Sequence, residues 1–400
     1  MKKSPVNLIV LAVMLITLIG FACKPASTPA PAPPSVATKA PAAPTTAPTV
    51  MPTEKPKPDW EVEWEKTLAA AKQEGTLMIY STPSGDIIRA LADAFEKKYG
   101  IKVEFVNGRG EELTQRLQAE KSAGLKVADI IMSGGTTTQT VMKPRGLLGK
   151  LDAAFILPDV KDPKSWIGDQ VPWMDKDHTG FSVLATFQQY VLVNTTTVPQ
   201  NEITSYKDLL NPKYKGQIVI NDPTVTGTGN AFFNMLALDV WTLEETKEFM
   251  RKFVEQEPAV TRDRRVQGEW VARGKYPISV ATNMETAIDF IRLGSPIAFA
   301  KIKEGGKVGP GAGGLSIAVE PAHPNAAKIY INWFLSSEGH SVFVKTYGSP
   351  GSRKDAPTEG IPPEMIAGPG DKFYLDTEES ILYRKVVGDI AKEIFAPLLK

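Results

Sequence analysis

TLMIYSTPSGDIIRALADAFEKKYGIKVEFVNGRGEELTQRLQAEKSAGLKVADIIM, residues 76–132, decides the fold. Thr76–Tyr80 is an apolar run of strand length, broken by STPSG at Ser81–Gly85. Ile87, Leu91 and Phe95 then recur at helical spacing and predict a helix running to Tyr99 and Gly100. KVEFV (Lys102–Val106) reads as a second strand, followed by NGRG and a helix carrying Leu113 and Leu117 to Gly124. ADIIM (Ala128–Met132) is a third strand, followed by SGGTTT. Upstream, Trp64, Leu68 and Ala71 share a helix face that stops at Gly75, a residue suited to a left-handed helix end. Strands alternating with helices of this length specify βαβ units, a parallel sheet and an α/β fold.

In such sheets ligands bind beyond the carboxyl ends of the strands, where the next helix begins. The loops there are small and hydroxyl-rich: STPSG at Ser81–Gly85, NGRG at Asn107–Gly110 and SGGTT at Ser133–Thr137. A fourth, PTVTGTG, follows the later strand QIVIND and spans Pro223–Gly229. Helix N-termini with free N–H groups attract anionic atoms, and Gly, Ser and Thr allow close approach. The same residues cap helices without any ligand, so a single loop proves little. Four of them on one edge point to a site, with Ser81, Thr82, Arg109, Gly134, Gly135, Thr136, Thr226, Gly227 and Thr228 as its expected residues.

The run AFEKKYGIKVEFVNGRGEELTQRLQAEKSAGLKVADIIMSGG resembles the first lobe of extracellular solute-binding proteins of ABC importers, in the branch that includes ferric-iron binders. YKDLLNPKYKGQIVINDPTVTGTG (206–229), EWVARGKYPISVATN (269–283) and AHPNAAKIYINWFLSSEGHSVF (322–343) strengthen the likeness, which covers about residues 60–400. The resemblance implies a two-lobe periplasmic-binding-protein-like fold of type II, each lobe a mixed sheet flanked by helices, with the ligand cleft between. The first lobe is expected at about 60–188 and 300–345. The second is expected at about 189–299, with a C-terminal helical region at 346–400. QYVLVNT (189–195) and the segment around 295–300 suit the two crossings. Hinge closure traps the ligand, and an ABC permease in the cytoplasmic membrane receives it. The protein is expected to be a monomer without a cofactor.

One motif departs from the iron-binding branch, which carries adjacent tyrosines just after a strand and an asparagine. Aligned on ISVATN, Asn283 is followed here by Met284 and Glu285. A thioether is a poor ligand for ferric iron. All three residues are still expected at the cleft, unless Met284 packs in a core and Glu285 starts a helix. Arg109 and the cluster Arg262, Arg264 and Arg265 offer fork-shaped donors to a carboxylate or phosphate. The expected cargo is therefore a small organic anion, with a ferric-iron-binding protein of the same fold as one alternative. An exported enzyme or a structural surface lipoprotein is another. No Gly-x-Ser-x-Gly elbow, phosphate-loop Gly-Lys-Ser/Thr or His-Glu-x-x-His motif supports catalysis. Gly309-x-Gly311-x-x-Gly314 precedes a strand-like run instead of opening a helix, the wrong context for a dinucleotide.

Cys23 is the only cysteine of 400 residues. It follows Lys2 and Lys3, an apolar run from Val6 to Ile19 and the small-residue turn at Gly20–Ala22. These are the parts of an export signal spanning residues 1–22. A cysteine directly after it resembles a bacterial lipobox, with Gly20 standing where leucine is usual, so Cys23 is the expected lipidation site. An ordinary cleavage after Ala22 is the alternative. Cleavage removes two lysines and no acid, taking the formal charge from +1 to −1. No charge excess points to nucleic acid. Residues up to 59 are rich in Pro, Ala and Thr and read as a disordered linker. The expected location is the outer face of the cytoplasmic membrane, held there by the lipid alone.

Overall fold

The computed structural model describes residues 57–311 and 313–399; the expected signal segment, Cys23 and the linker to residue 56 lie outside the described residues. Among those described, no helix is long and apolar enough to cross a membrane. Helix α1 (Asp59–Glu74) ends where Gly75 turns left-handed at φ 73° and donates its N–H to Ala71 O. Then come β1 (Thr76–Ser81), α2 (Gly85–Tyr99), β2 (Lys102–Asn107), α3 (Gly110–Ser122) and β3 (Ile130–Met132). Two short helices, α4 (Gly135–Thr137) and α5 (Pro158–Lys161), lead to β4 (Phe181–Ser182), β5 (Thr186–Gln188) and β6 (Val191–Asn194). Next are β7 (Ile218–Asn221), α6 (Thr228–Met235), α7 (Leu243–Val254), β8 (Ala259–Thr261), α8 (Arg264–Ala272), β9 (Ile278–Val280), α9 (Met284–Arg292) and β10 (Ile297–Phe299). The chain returns through β11 (Gly306–Gly309) and β12 (Gly314–Ile317) to α10 (Pro324–Leu335) and α11 (Ser337–Tyr347). It ends with β13 (Phe373–Leu375) and α12 (Glu378–Phe395).

The strands form two mixed five-stranded sheets, β2-β1-β3-β12-β4 and β10-β6-β9-β7-β8, joined by a third, β13-β11-β5. β1 runs parallel to β2 and β3, whereas β12 lies antiparallel to β3 and β4. β7 likewise runs parallel to β8 and β9, with β6 antiparallel to β9 and β10. Each five-stranded sheet has its own core. Leu77 and Ile79 meet Ile88, Leu91 and Phe95 in the first, all fully buried. Ile218 and Ile220 meet Phe232, Phe233 and Phe253 in the second, joined by Val387, Ala391 and Phe395 of α12. Cutting a buried aromatic such as Phe95 to Ala removes about 3–5 kcal/mol.

The crossings lie elsewhere than the sequence suggests. Residues 189–195 and 295–300 supply β6 and β10, paired antiparallel inside the second sheet. All four residues of β6 are buried, so that run needs neighbours on both sides, and β9 and β10 provide them. The chain passes between the sheets in β5 and β11, which pair antiparallel with Lys307 opposite Gln188 and Gly309 opposite Thr186.

Candidate ligand-binding site

Three strand ends of the two sheets converge on one cavity of about 380 Å³. Gly135 and Thr136 come from the edge beyond β3, Thr226, Gly227 and Thr228 from beyond β7, and Asn283, Met284 and Glu285 from beyond β9. The joining sheet is the floor, presenting Thr186 and Gln188 from β5 and Lys307 and Gly309 from β11. Tyr190, Arg264, Asp376 and Arg384 complete the wall. The hydroxyl loops therefore belong to two facing sheets and not to one edge.

Local sequence explains how the helices reach this point. A Cβ on Gly229 would stand 2.0 Å from the Asn221 carbonyl oxygen, so only glycine lets α6 start against the end of β7. The Gly229 N–H donates to Asn221 Oδ1 at 3.2 Å, and the Thr228 hydroxyl donates to the Ala281 carbonyl. Asp222 braces the same loop: it accepts from Thr224 N–H at 2.8 Å and from Arg262 at 2.7 Å. Burial opposes its ionisation, but Thr224 and Arg262 outweigh that and hold its carboxyl below the usual range. Asn283 caps α9, its Oδ1 accepting from the Thr286 N–H and hydroxyl at 3.1 and 3.0 Å. Both α4 and α6 run on into π-helical turns, at Thr138–Met142 and Leu236–Val240.

The charges are mostly matched. Lys307, only 6% exposed, pairs with Asp239 at 2.7 Å. Arg384 pairs with Asp376 at 3.0 Å, and Asp376 also accepts from the Ser380 hydroxyl at 2.7 Å. Arg264 is exposed at the start of α8 and has no ion pair among the described residues. The Tyr190 phenol is buried, which pushes its pKa above the ordinary value. Among the described residues no three His, Cys, Asp or Glu side chains gather as a metal-ligand set.

Four expected site residues do not line the cavity. Ser81 is fully buried and donates to Pro83 O at 3.2 Å, while Thr82 turns its hydroxyl to Met132 O at 3.4 Å. Asn107 stitches the two loops together through Ser81 O at 3.0 Å. Arg109 is exposed and starts α3, its N–H bonded to Glu112 at 3.0 Å. Gly134 precedes α4 and accepts the Thr138 N–H at 3.1 Å. These groups are spent on capping and loop closure. Met284 lines the cavity, yet it is 1% exposed and packs with Val271, Ala287 and Phe299, so its thioether serves the core. Glu285 is exposed at the rim. Sequence reading missed Gln188, Tyr190, Lys307, Asp376 and Arg384. No local motif marks them, and only the pairing of β5 with β11 and the return of α12 bring them here.

A family model of bacterial extracellular solute-binding proteins matches residues 90–370. An uncharacterized protein of Haemophilus influenzae is 26% identical over 282 residues, 69% of this chain and 77% of its own. Among solved structures, Trichodesmium IdiA (FutA) in complex with iron and citrate superposes with a TM-score of 0.59 at 18% identity, covering 81% of this chain and 99% of its own. The periplasmic binding protein AfuA of Actinobacillus pleuropneumoniae, with fructose-6-phosphate bound, gives 0.54 at 21% identity over the same shares. These neighbours share the two-lobe architecture of periplasmic binding proteins. With its family model spanning most of the chain and its cavity set between two lobes, the protein belongs to the bacterial extracellular solute-binding proteins.

Proposed function

We propose that the cavity captures one small organic anion by hinge closure and that a membrane permease of an ABC importer receives it. The observation that carries this is the convergence of the α6 and α9 N-termini on one cavity with Arg264, Lys307 and Arg384. N–H groups at helix starts and forked guanidinium donors recognise carboxylate or phosphate oxygens. Two of the three cations already hold carboxylates, so a bare point charge gains little. The Gln188 amide nitrogen is spent on Gln189 O and Thr282 O, so a solute with an anionic group and further hydroxyls uses the Gln188 Oε1 acceptor, the Thr136 and Thr226 hydroxyls and the remaining Lys307 N–H groups as well. The size suits this, since small-molecule sites usually measure about 300–1,000 Å³.

In this reading the chain acts as a monomer, performs no chemistry on its cargo, and is tethered outside the cytoplasmic membrane through a lipid on Cys23. Calorimetric titration with small carboxylates and phosphate esters tests the anion assignment. One class is expected to bind at one per chain and to shrink the scattering radius, while binding of neutral solutes alone contradicts it. Ferric iron is the second reading, because Tyr190, Glu285 and Asp376 put a phenol and two carboxylates on the same wall. Burial holds that phenol protonated, which weakens it as a metal ligand. A phenolate-to-iron colour in the purified protein would favour iron over the anion.

A further inference from the structure

Two helices that face the cavity change character in the same way behind it. α4 continues without a break into the π turn at Thr138–Met142, and α6 into that at Leu236–Val240. Such turns are rare and concentrate at functional sites. One delivers a charge to the joining sheet and the other to the start of α12 just beyond it. Asp239, inside the second π turn, holds Lys307 of β11 at 2.7 Å. Lys143, the residue after the first, stands 2.8 Å from each of Asp175, Asp177 and Glu378. Burial works against the Lys143 charge, but hydrogen bonds to these three carboxylates outweigh it and hold its pKa above the ordinary lysine value.

The anchors are well placed to carry force. Asp175 is nearly fully buried and takes N–H bonds from Thr179 and Gly180 at 2.9 and 3.0 Å. Glu378 opens α12 just beyond β13, and its own N–H donates to Met174 O at 2.6 Å. Lys143 with Asp175 and Lys307 with Asp239 are mostly buried, the lysines 16% and 7% exposed, so water and salt screen these two pairs little. The β11 strand and the β13–α12 junction are thus each tied to a different ligand-facing helix, one from each lobe.

We infer that Lys143 and Asp239 are positioning residues that couple the two ligand-facing helices to the start of α12 and to β11, so that the Lys143–Glu378 and Asp239–Lys307 pairs set how readily the lobes close. This rests on the reading of the cavity as a site that closes on a solute. A solute in contact with Thr136 and with the Thr226–Thr228 loop draws both segments inward, and the continuous helical turns behind them pass that displacement to Lys143 and Asp239. There the Asp239–Lys307 pair passes it to β11 and the Lys143–Glu378 pair to the start of α12.

The test needs no solute. In the otherwise full chain with Cys23→Ser, spin labels at Leu125→Cys and Leu293→Cys, 59% and 78% exposed, report the lobe separation by pulsed dipolar spectroscopy. Asp239→Asn and Glu378→Gln should each change the ratio of short to long separations by about 5-fold or more, the lower end of ordinary site coupling. Asp239→Glu should restore the parental ratio. Lys213→Met, which breaks the exposed pair with Glu202, should leave it unchanged. Glu378 is 25% exposed, so Glu378→Gln keeps the fold and decides the matter alone if Asp239→Asn unfolds. Parental separations in the folded variants overturn the coupling. A failed search for an anionic solute would leave this result standing, and the converse also holds.

Discussion

Gly229→Ala tests the placement of α6 more sharply than any change to a polar side chain. The added methyl would sit 2.0 Å from Asn221 O and 2.8 Å from Asn221 C. Ordinary contact begins near 3.4 Å, so the helix start must retreat by more than an ångström. β7 cannot yield instead, because β8 and β9 hold it on both sides. Overpacking of this kind costs about 1–3 kcal/mol of stability. The retreat also shifts the α6 start, with Thr228, from its place on the cavity wall. Each hydrogen bond to a charged group is worth about 1.5–3 kcal/mol, so affinity should fall roughly 10- to 100-fold. Calorimetry with the solute and urea unfolding separate the two effects. Gly85→Ala is the control, since its methyl meets Phe105 at an ordinary 3.8 Å and should change neither quantity appreciably. A Gly229→Ala protein that binds as tightly as its parent would refute the role given to α6.

Two further outcomes are expected. Thr226 is exposed on the cavity wall, so Thr226→Trp should weaken solute binding about 10-fold or more, while urea unfolding changes by no more than about 0.5 kcal/mol; unchanged affinity removes this loop from the site. The buried His340 stays neutral in the fold, its pKa pushed by burial, and then by Arg353, from 6.5 down to about 3. An unfolded imidazole takes a proton near 6.5 that the folded one refuses. Stability is therefore full above pH 6.5 and is lost at up to about 1.4 kcal/mol per unit as pH falls toward 3. His340→Asn should flatten that part of the urea-midpoint profile, and an unaltered slope would contradict the assignment.

The elements that local pattern controls are legible in the sequence. Ile87, Leu91 and Phe95 mark α2, Gly75 ends α1, and the Gly-Thr run at 226–229 opens a helix onto the cavity. Pairing could not be read. The loops at 81–85 and 107–110 carry the same small residues as the one at 226–229, yet they bond to each other, because β1 and β2 are neighbours and bring Asn107 to Ser81. The floor was hidden for a related reason. Gln188 and Lys307 lie more than a hundred residues apart and become one surface only in the β5–β11 ladder. The segment 189–195 suits a crossing by resemblance alone, but the burial of every residue of Val191–Asn194 makes it an interior strand.

The central claim is that the cavity holds one small organic anion. Native mass spectrometry of the gently purified protein measures this most directly. The account predicts an added mass of a few hundred daltons at most, lost on mild activation in negative charge states and containing a carboxylate or phosphate. A mass increment matching bound iron alone, or a neutral solute at full occupancy, would contradict it.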